Sequence, residues 1–280
     1  MDKTSAKTAL KLKEEIDGLH PERYGFISSK KQFLILMGYL ISIIVAEVLT
    51  AYSNVLIGLV IHSIILSVLL VHASMETDYN FSNLLTCMIV IPMIRIIGLT
   101  MPLLQVPSLF WFPVIAIPLF VSAIFIIRVQ KVTPIDLGLT LGNIPVQLLI
   151  GATGIILGFV EYQVLHPKPL ISYFSIESVL FAGIILLIST GFAEELLFRG
   201  IIQRNAENLF GKLFGLLYAS LLFTSLHIGW QSIIDLFFVF GVAIFYGYMF
   251  QRTRSLFGIT LSHGISNAVL FLVMPFIAFS

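Results

Sequence analysis

The chain has 280 residues, 58% hydrophobic and 11% charged, with 16 Lys and Arg against 15 Asp and Glu and a net charge of +1. Soluble domains carry about a quarter charged residues, and so few charges over this length cannot clothe a soluble surface. The composition therefore excludes a soluble enzyme, a disordered chain and a secreted disulfide scaffold. No basic stripe with interleaved aromatics is present, so no nucleic-acid partner is expected.

The expected fold class is an all-α, polytopic transmembrane helix bundle with the lipid bilayer as solvent. Residues 1–31 hold seven of the cations and form an N-terminal cytoplasmic segment, either a short surface helix around Lys11, Lys13, Glu14 and Glu15 or a solvated tail. A spanning helix needs about 20 apolar residues, and nine stretches qualify, near 33–51, 54–73, 84–104, 110–128, 144–165, 176–198, 212–228, 232–250 and 256–279. The first is too long and too late for a cleaved signal peptide and is expected to stay. The third carries Arg95 and is broken by Pro92 and Pro102; the fourth holds Pro113 and Pro118. Such prolines suit kinked helices in a packed bundle. Cys87, alone in an apolar run, reads as a small buried hydrophobe. The loop 129–143 separates N-terminal spans, 32–130, from a helical core, 131–280, that holds the chemically suggestive residues.

The cations give a topology. With nine crossings and the N-terminus in the cytoplasm, 14 Lys and Arg fall inside, only Lys168 falls outside, and Arg95 lies within a span. A re-entrant segment would preserve much of that bias, so the expectation is about 8–9 spans.

Ionisable residues inside spans are costly and usually face a cavity or a partner. The densest group is GFAEELLFRG, residues 191–200. Glu195 and Arg199 are i, i+4 neighbours in the favourable acid-first order, so Arg199 is expected to hold Glu195 while Glu194, about 100° around the helix, faces elsewhere. FTSLHIGW, residues 223–230, contributes His227; LSHGISN, residues 261–267, stacks His263 and Asn267 on one face. Singly, each reads as a helix-end charge cluster, a structural histidine or an interhelical hydrogen bond.

Together they say more. Glu194 and His227 are each 16.5 residues from position 210.5 in the polar turn, so an antiparallel hairpin sets them side by side, roughly 25 Å from it. With the polar residues 203–212 projecting into the cytoplasm, both lie about 10–15 Å deep, and His263, eight residues past Ser255, about 12 Å deep. A helix 212–228 that has His227 partway across must break inside the membrane, at Gly229, beside a polar intramembrane cavity near the cytoplasmic side.

A carboxylate and a histidine at that depth suit water activation, with Glu194 as base and His227 assisting, and His263 and Asn267 donating to an oxyanion. Alternatively Glu194, His227 and His263 bind a divalent metal such as zinc, three ligands with one position open; no H-E-x-x-H specifies this. No serine-nucleophile motif, P-loop or nucleophilic cysteine is present.

The pattern E-E-x-x-x-R (Glu194, Glu195, Arg199), F-x-x-x-H (Phe223, His227) and H-x-x-x-N (His263, Asn267) resembles the CPBP intramembrane proteases, which group Rce1-type CAAX prenyl proteases with bacteriocin-processing and immunity proteins. The resemblance covers roughly residues 134–273, from IDLGL through QRTRSL to the last motif, and makes 131–280 the catalytic core. It implies Glu194 as water-activating base with His227 as its partner, Glu195 and Arg199 as a supporting pair, and His263 with Asn267 as the oxyanion-stabilising pair. It implies a membrane-anchored protein or peptide substrate, prenylated or a peptide precursor, and leaves a metal-dependent and a metal-free glutamate mechanism both open. Nine spans exceed the eight described for the prenyl protease branch.

Two rival classes remain: a non-catalytic immunity or scaffold protein of the same fold, and a proton-coupled transporter, for which the repeated halves of many transporters are missing. Glu47, His62, His72 and Glu161 read as structural; Arg95 is expected to pair with a buried acid, and Asp235 to line the cavity.

Overall fold

The computed structural model describes residues 21–278. Of residues 1–31, expected to be a surface helix or a solvated tail, 1–20 lie outside the described residues and 21–31 are helical, continuous with the first span. All regular elements among the described residues are helical, and nine helices are long and apolar enough to cross a membrane. They are α1 (Pro21–Tyr52), α2 (Val55–Met75), α3 (Tyr79–Leu103), α4 (Ser108–Val129), α5 (Ile144–Leu165), α6 (Ile176–Phe210), α7 (Lys212–Trp230), α8 (Ile233–Thr253) and α9 (Phe257–Ile277). The chain divides into a unit ending at Ile41, whose described part is the start of α1, and a unit from Ser42 to Ser280 that holds every residue of the site.

Short polar residues start the helices. The side chains of Asn54, Asp78, Asn143, Ser175 and Ser232 each accept a hydrogen bond from a backbone N–H two or three residues on, satisfying donors that a helix start leaves without an intrahelical partner. Gly211, at φ +88°, separates α6 from α7. In α3 the α-helix is interrupted at Ile89, three residues before Pro92, where the proline ring crowds the preceding turn and removes a donor. Pro102 is the second residue of a 3₁₀ turn, Met101–Leu104, that closes the span.

One end of the Ser42–Ser280 unit is tied together by hydrogen bonds between connections. The Leu256 N–H donates to the Gly138 carbonyl at 2.8 Å, and the Ser255 hydroxyl to the Thr140 carbonyl at 2.5 Å. The Gln251 amide donates to the Lys212 carbonyl at 2.8 Å, and Arg254 pairs with Glu207 at 3.1 Å. The loop after α4 thus docks on the α8–α9 connection. The Thr133 hydroxyl and N–H donate to Asp136 and hold its carboxyl below the usual range. Cys87 is buried, as expected, and accepts hydrogen bonds from the Gln130 and Asn205 amides.

Helix α5 packs on α9 through small residues. A Cβ at Gly154 would lie 2.1 Å from the Ser262 carbonyl oxygen, and one at Gly158 would lie 2.3 Å from that of Ser266. The glycines let the two backbones touch, the small-residue packing of membrane helices. Outward side chains are apolar, among them Ile156 and Phe237, which suits lipid.

Gly154→Leu is expected to lower stability by about 1–3 kcal/mol or more, because the clash is with backbone, whereas Gly183→Leu, with nothing within 4 Å of its Cβ, is expected to be neutral. Thermal unfolding of the detergent-purified variants reads the difference.

Candidate active site

Helix α6 runs on to Phe210, well past the expected end at residue 198, so Arg199 lies inside it, 1% exposed. Arg199 therefore leaves the set of cations counted at the cytoplasmic face. Around the acidic pair the helix winds unevenly. Ala193–Glu195 is one α-helical turn between two π-helical stretches, Leu187–Phe192 and Leu196–Gln203. A π turn takes one residue more than an α turn and often marks a functional site. Gly191 and Gly200, one in each stretch, permit close approach: their Cβ atoms would lie 2.8 Å from the Thr260 carbonyl and 3.0 Å from the Leu137 carbonyl.

Glu194 and Glu195 take different environments, as their spacing on the helix requires. Glu195 is fully buried, and its Oε1 accepts from Arg199 Nη1 at 3.2 Å and from His263 Nδ1 at 2.8 Å. The expected Glu195–Arg199 pair is present, and the structure adds His263 to it. Arg199 also donates to the Ala243 carbonyl at 3.2 Å and lies 4.8 Å from the Phe223 ring centroid, a cation–π contact in a dry site. Glu194 keeps 30% of its side chain exposed, with Oε2 3.9 Å from His263 Nε2.

His227 sits just past the end of the α-helical part of α7, which stops at Ser225; a 3₁₀ turn, Ile228–Trp230, follows. The break expected at Gly229 comes slightly earlier, at Leu226–His227. The ring is fixed by its Nδ1, 3.0 Å from the Phe223 carbonyl oxygen. A carbonyl only accepts, so Nδ1 carries the proton, and in the neutral ring Nε2 holds the lone pair.

Glu194 and His227 line one cavity of about 210 Å³ together with Arg95, Ser189, Thr190 and Trp230. His227, His263 and Asn267 line a second, of about 40 Å³, with Glu161 and Tyr246. His227 belongs to both walls. The hairpin thus sets Glu194 and His227 on one space. His263 and Asn267 are a turn apart on α9, as expected, but each is engaged elsewhere: His263 Nδ1 donates to Glu195, and Asn267 Nδ2 donates to the Thr190 hydroxyl at 2.8 Å. Among the described residues no group of three His, Cys, Asp or Glu side chains is arranged to hold a metal ion, and no step below runs through a metal.

Several contributors carry no motif of their own. Thr190 accepts from Asn267, and its hydroxyl donates a hydrogen bond to the Leu186 carbonyl at 2.6 Å. Tyr246 stacks on His263, with ring centroids 5.9 Å apart, and meets Ser262 at 3.0 Å. Arg95 forms the expected buried ion pair: its Nε and Nη2 each donate to Glu47 at 2.5 Å, and His62 Nε2 lies 3.1 Å from the same carboxylate. Glu47 and His62, expected to be structural, are members of this cluster. Asp235 is fully buried and its carboxylate oxygens accept no hydrogen bond from the described residues; it is absent from the lining of both cavities.

Residues 176–269 match the family model described as Rce1-like, type II CAAX prenyl endopeptidase Rce1-like. The match is narrower than the expected 134–273 and includes all the motif residues. No curated protein and no solved structure matches the chain. The resemblance read from the motifs is borne out over this segment, and with nine apolar helices the chain is an integral, multi-pass membrane protein.

Arg199→Met strands a buried carboxylate and is expected to cost about 3–5 kcal/mol. The double variant Glu195→Gln/Arg199→Met is expected to recover much of that loss. Unfolding in detergent measures both, and equal losses would show that the charge pair is not the cause.

Proposed function

Starting from an Rce1-like domain at residues 176–269 in a multi-pass membrane protein, we propose that the chain is an intramembrane endopeptidase. In this reading it hydrolyses a peptide bond of a membrane-associated substrate with water activated by Glu194 and His227. The observation that carries the reading is the shared cavity, in which a part-exposed carboxylate meets a histidine whose Nδ1 is committed to backbone.

The chemistry follows from the donors and acceptors. Water bound between Glu194 and His227 Nε2 gives its proton to the Glu194 carboxylate as its oxygen attacks the scissile carbonyl carbon. The oxyanion accepts a hydrogen bond from the Asn267 N–H not given to Thr190 and from Nε2 of a protonated His263. Glu194 then passes the proton to the departing amine as the C–N bond breaks. Glu195 and Arg199 take no part in proton transfer; Glu195 fixes the His263 ring and Arg199 fixes Glu195. The substrate is a prenylated CAAX-type protein or a peptide precursor. The end of the bundle that gathers Glu207, Lys212, Gln251 and Arg254 faces the cytoplasm in this proposal, as the bias of the cations suggests.

The test is cleavage of candidate prenylated and unprenylated membrane peptides by purified wild type, Glu194→Gln and His227→Ala. Each substitution is expected to lower kcat by about 10²-fold or more while leaving thermal unfolding close to wild type. Undiminished cleavage by either variant sinks the mechanism.

A further inference from the structure

Arg95 belongs to α3, outside the segment that matches the family model, yet its side chain reaches the wall of the cavity that holds Glu194 and His227. A guanidinium carries five N–H donors in a rigid fork. Two nitrogens, Nε and Nη2, are committed to the two oxygens of Glu47. Nη1 has no hydrogen-bond partner among the described residues, and 22% of the side chain is exposed. Glu47 is fully buried with His62 behind it, so the fork is held from the back and cannot swing into lipid.

A fixed guanidinium with a free edge in an otherwise mostly apolar cavity is suited to a planar anion, and carboxylate is the group it matches best. The lining includes the apolar Phe112 and Leu119, and its polar members Ser189, Thr190, Glu194 and His227 make no hydrogen bond to Arg95.

We propose that Arg95 selects substrates by a carboxylate, binding it on the free Nη1 edge while the adjacent peptide bond lies at Glu194 and His227. The inference rests on the endopeptidase reading for the identity of the ligand as a peptide. The carboxylate comes either from a free C-terminus or from an acidic side chain close to the scissile bond. Arg95 is a specificity-determining residue here; it takes no part in bond making.

The experiment uses the full chain in lipid nanodiscs and three fluorescence-quenched prenylated peptides ending in a CAAX sequence with no other acidic residue. One has a free C-terminal carboxylate, one a C-terminal carboxamide, and one a carboxamide with Asp as the penultimate residue. Equilibrium binding by anisotropy and cleavage by dequenching are measured in parallel on wild type, Arg95→Gln and Glu47→Gln/Arg95→Gln. The double variant removes both charges and so guards against misfolding from a stranded Glu47.

Wild type is expected to bind the free acid at least about tenfold more tightly than the carboxamide, with a matching ratio in kcat/KM, and the preference is expected to vanish in both variants. Recovery by the Asp-bearing carboxamide in wild type alone places the recognised carboxylate on a side chain and supports the proposal equally. Equal binding of all three peptides by wild type, or a preference that survives in both variants, overturns it. Acid-selective binding without any cleavage leaves the role of Arg95 standing and overturns the endopeptidase reading, whereas cleavage without selectivity does the reverse.

Discussion

Glu195 Oε1 is a single acceptor shared by two donors from different helices, Arg199 on α6 and His263 on α9. A carboxylate with no exposed surface must be paired to persist, and here the pairing also determines where the last helix can sit. His263 cannot rotate without leaving Glu195 short of a donor, and α9 cannot slide without carrying His263 away. The other parts of the site hang on that constraint: Asn267 follows His263 by one turn and meets Thr190, and Phe223 packs edge-on to His263 while its carbonyl holds His227.

Much of this was legible because local helix geometry encodes it. The i, i+4 spacing of Glu195 and Arg199 gives their ion pair, and equal distance from the polar turn brings Glu194 and His227 to one cavity. The break beside His227 was expected from placing that histidine partway along a crossing, and the α-helix does stop at Ser225. What escaped the sequence was pairing between distant segments. His263 reaching Glu195, Thr190 receiving Asn267, and Glu47 meeting Arg95 join residues 68, 77 and 48 positions apart, and no periodicity specifies such partners. Gly154 and Gly158 carried a small-residue spacing in plain view, but only the partner backbone of α9 gives it meaning. The reach of α6 to Phe210 was missed because apolarity falls off after Phe198, while burial of Arg199, Gln203 and Asn205 by neighbouring helices continues it.

The division of labour between the two halves of the chain also differs from the sequence picture. The motifs all lie in the later helices, yet the cavity wall includes Ile94, Arg95, Phe112 and Leu119 from α3 and α4. In the proposed reading the later helices supply the reactive groups, and the earlier ones line part of the same cavity. An N-terminal half without any recognisable motif therefore contributes to the wall around Glu194 and His227.

The π-helical stretches on either side of Ala193–Glu195 extend this point. Each accommodates a residue beyond the α-helical count, so the direction in which Glu194 points depends on how many residues precede it within the helix, quite apart from which they are. Removing the surplus residue from Leu187–Phe192 would let that stretch relax to an α turn with the acidic pair still facing its cavity, whereas removing one from the α-helical Ile176–Leu186 would turn the pair by roughly 100° against the start of the helix, with every motif residue still present. The site is thus written in chain length as well as in residue identity, and a scan of substitutions alone would never read the first of these.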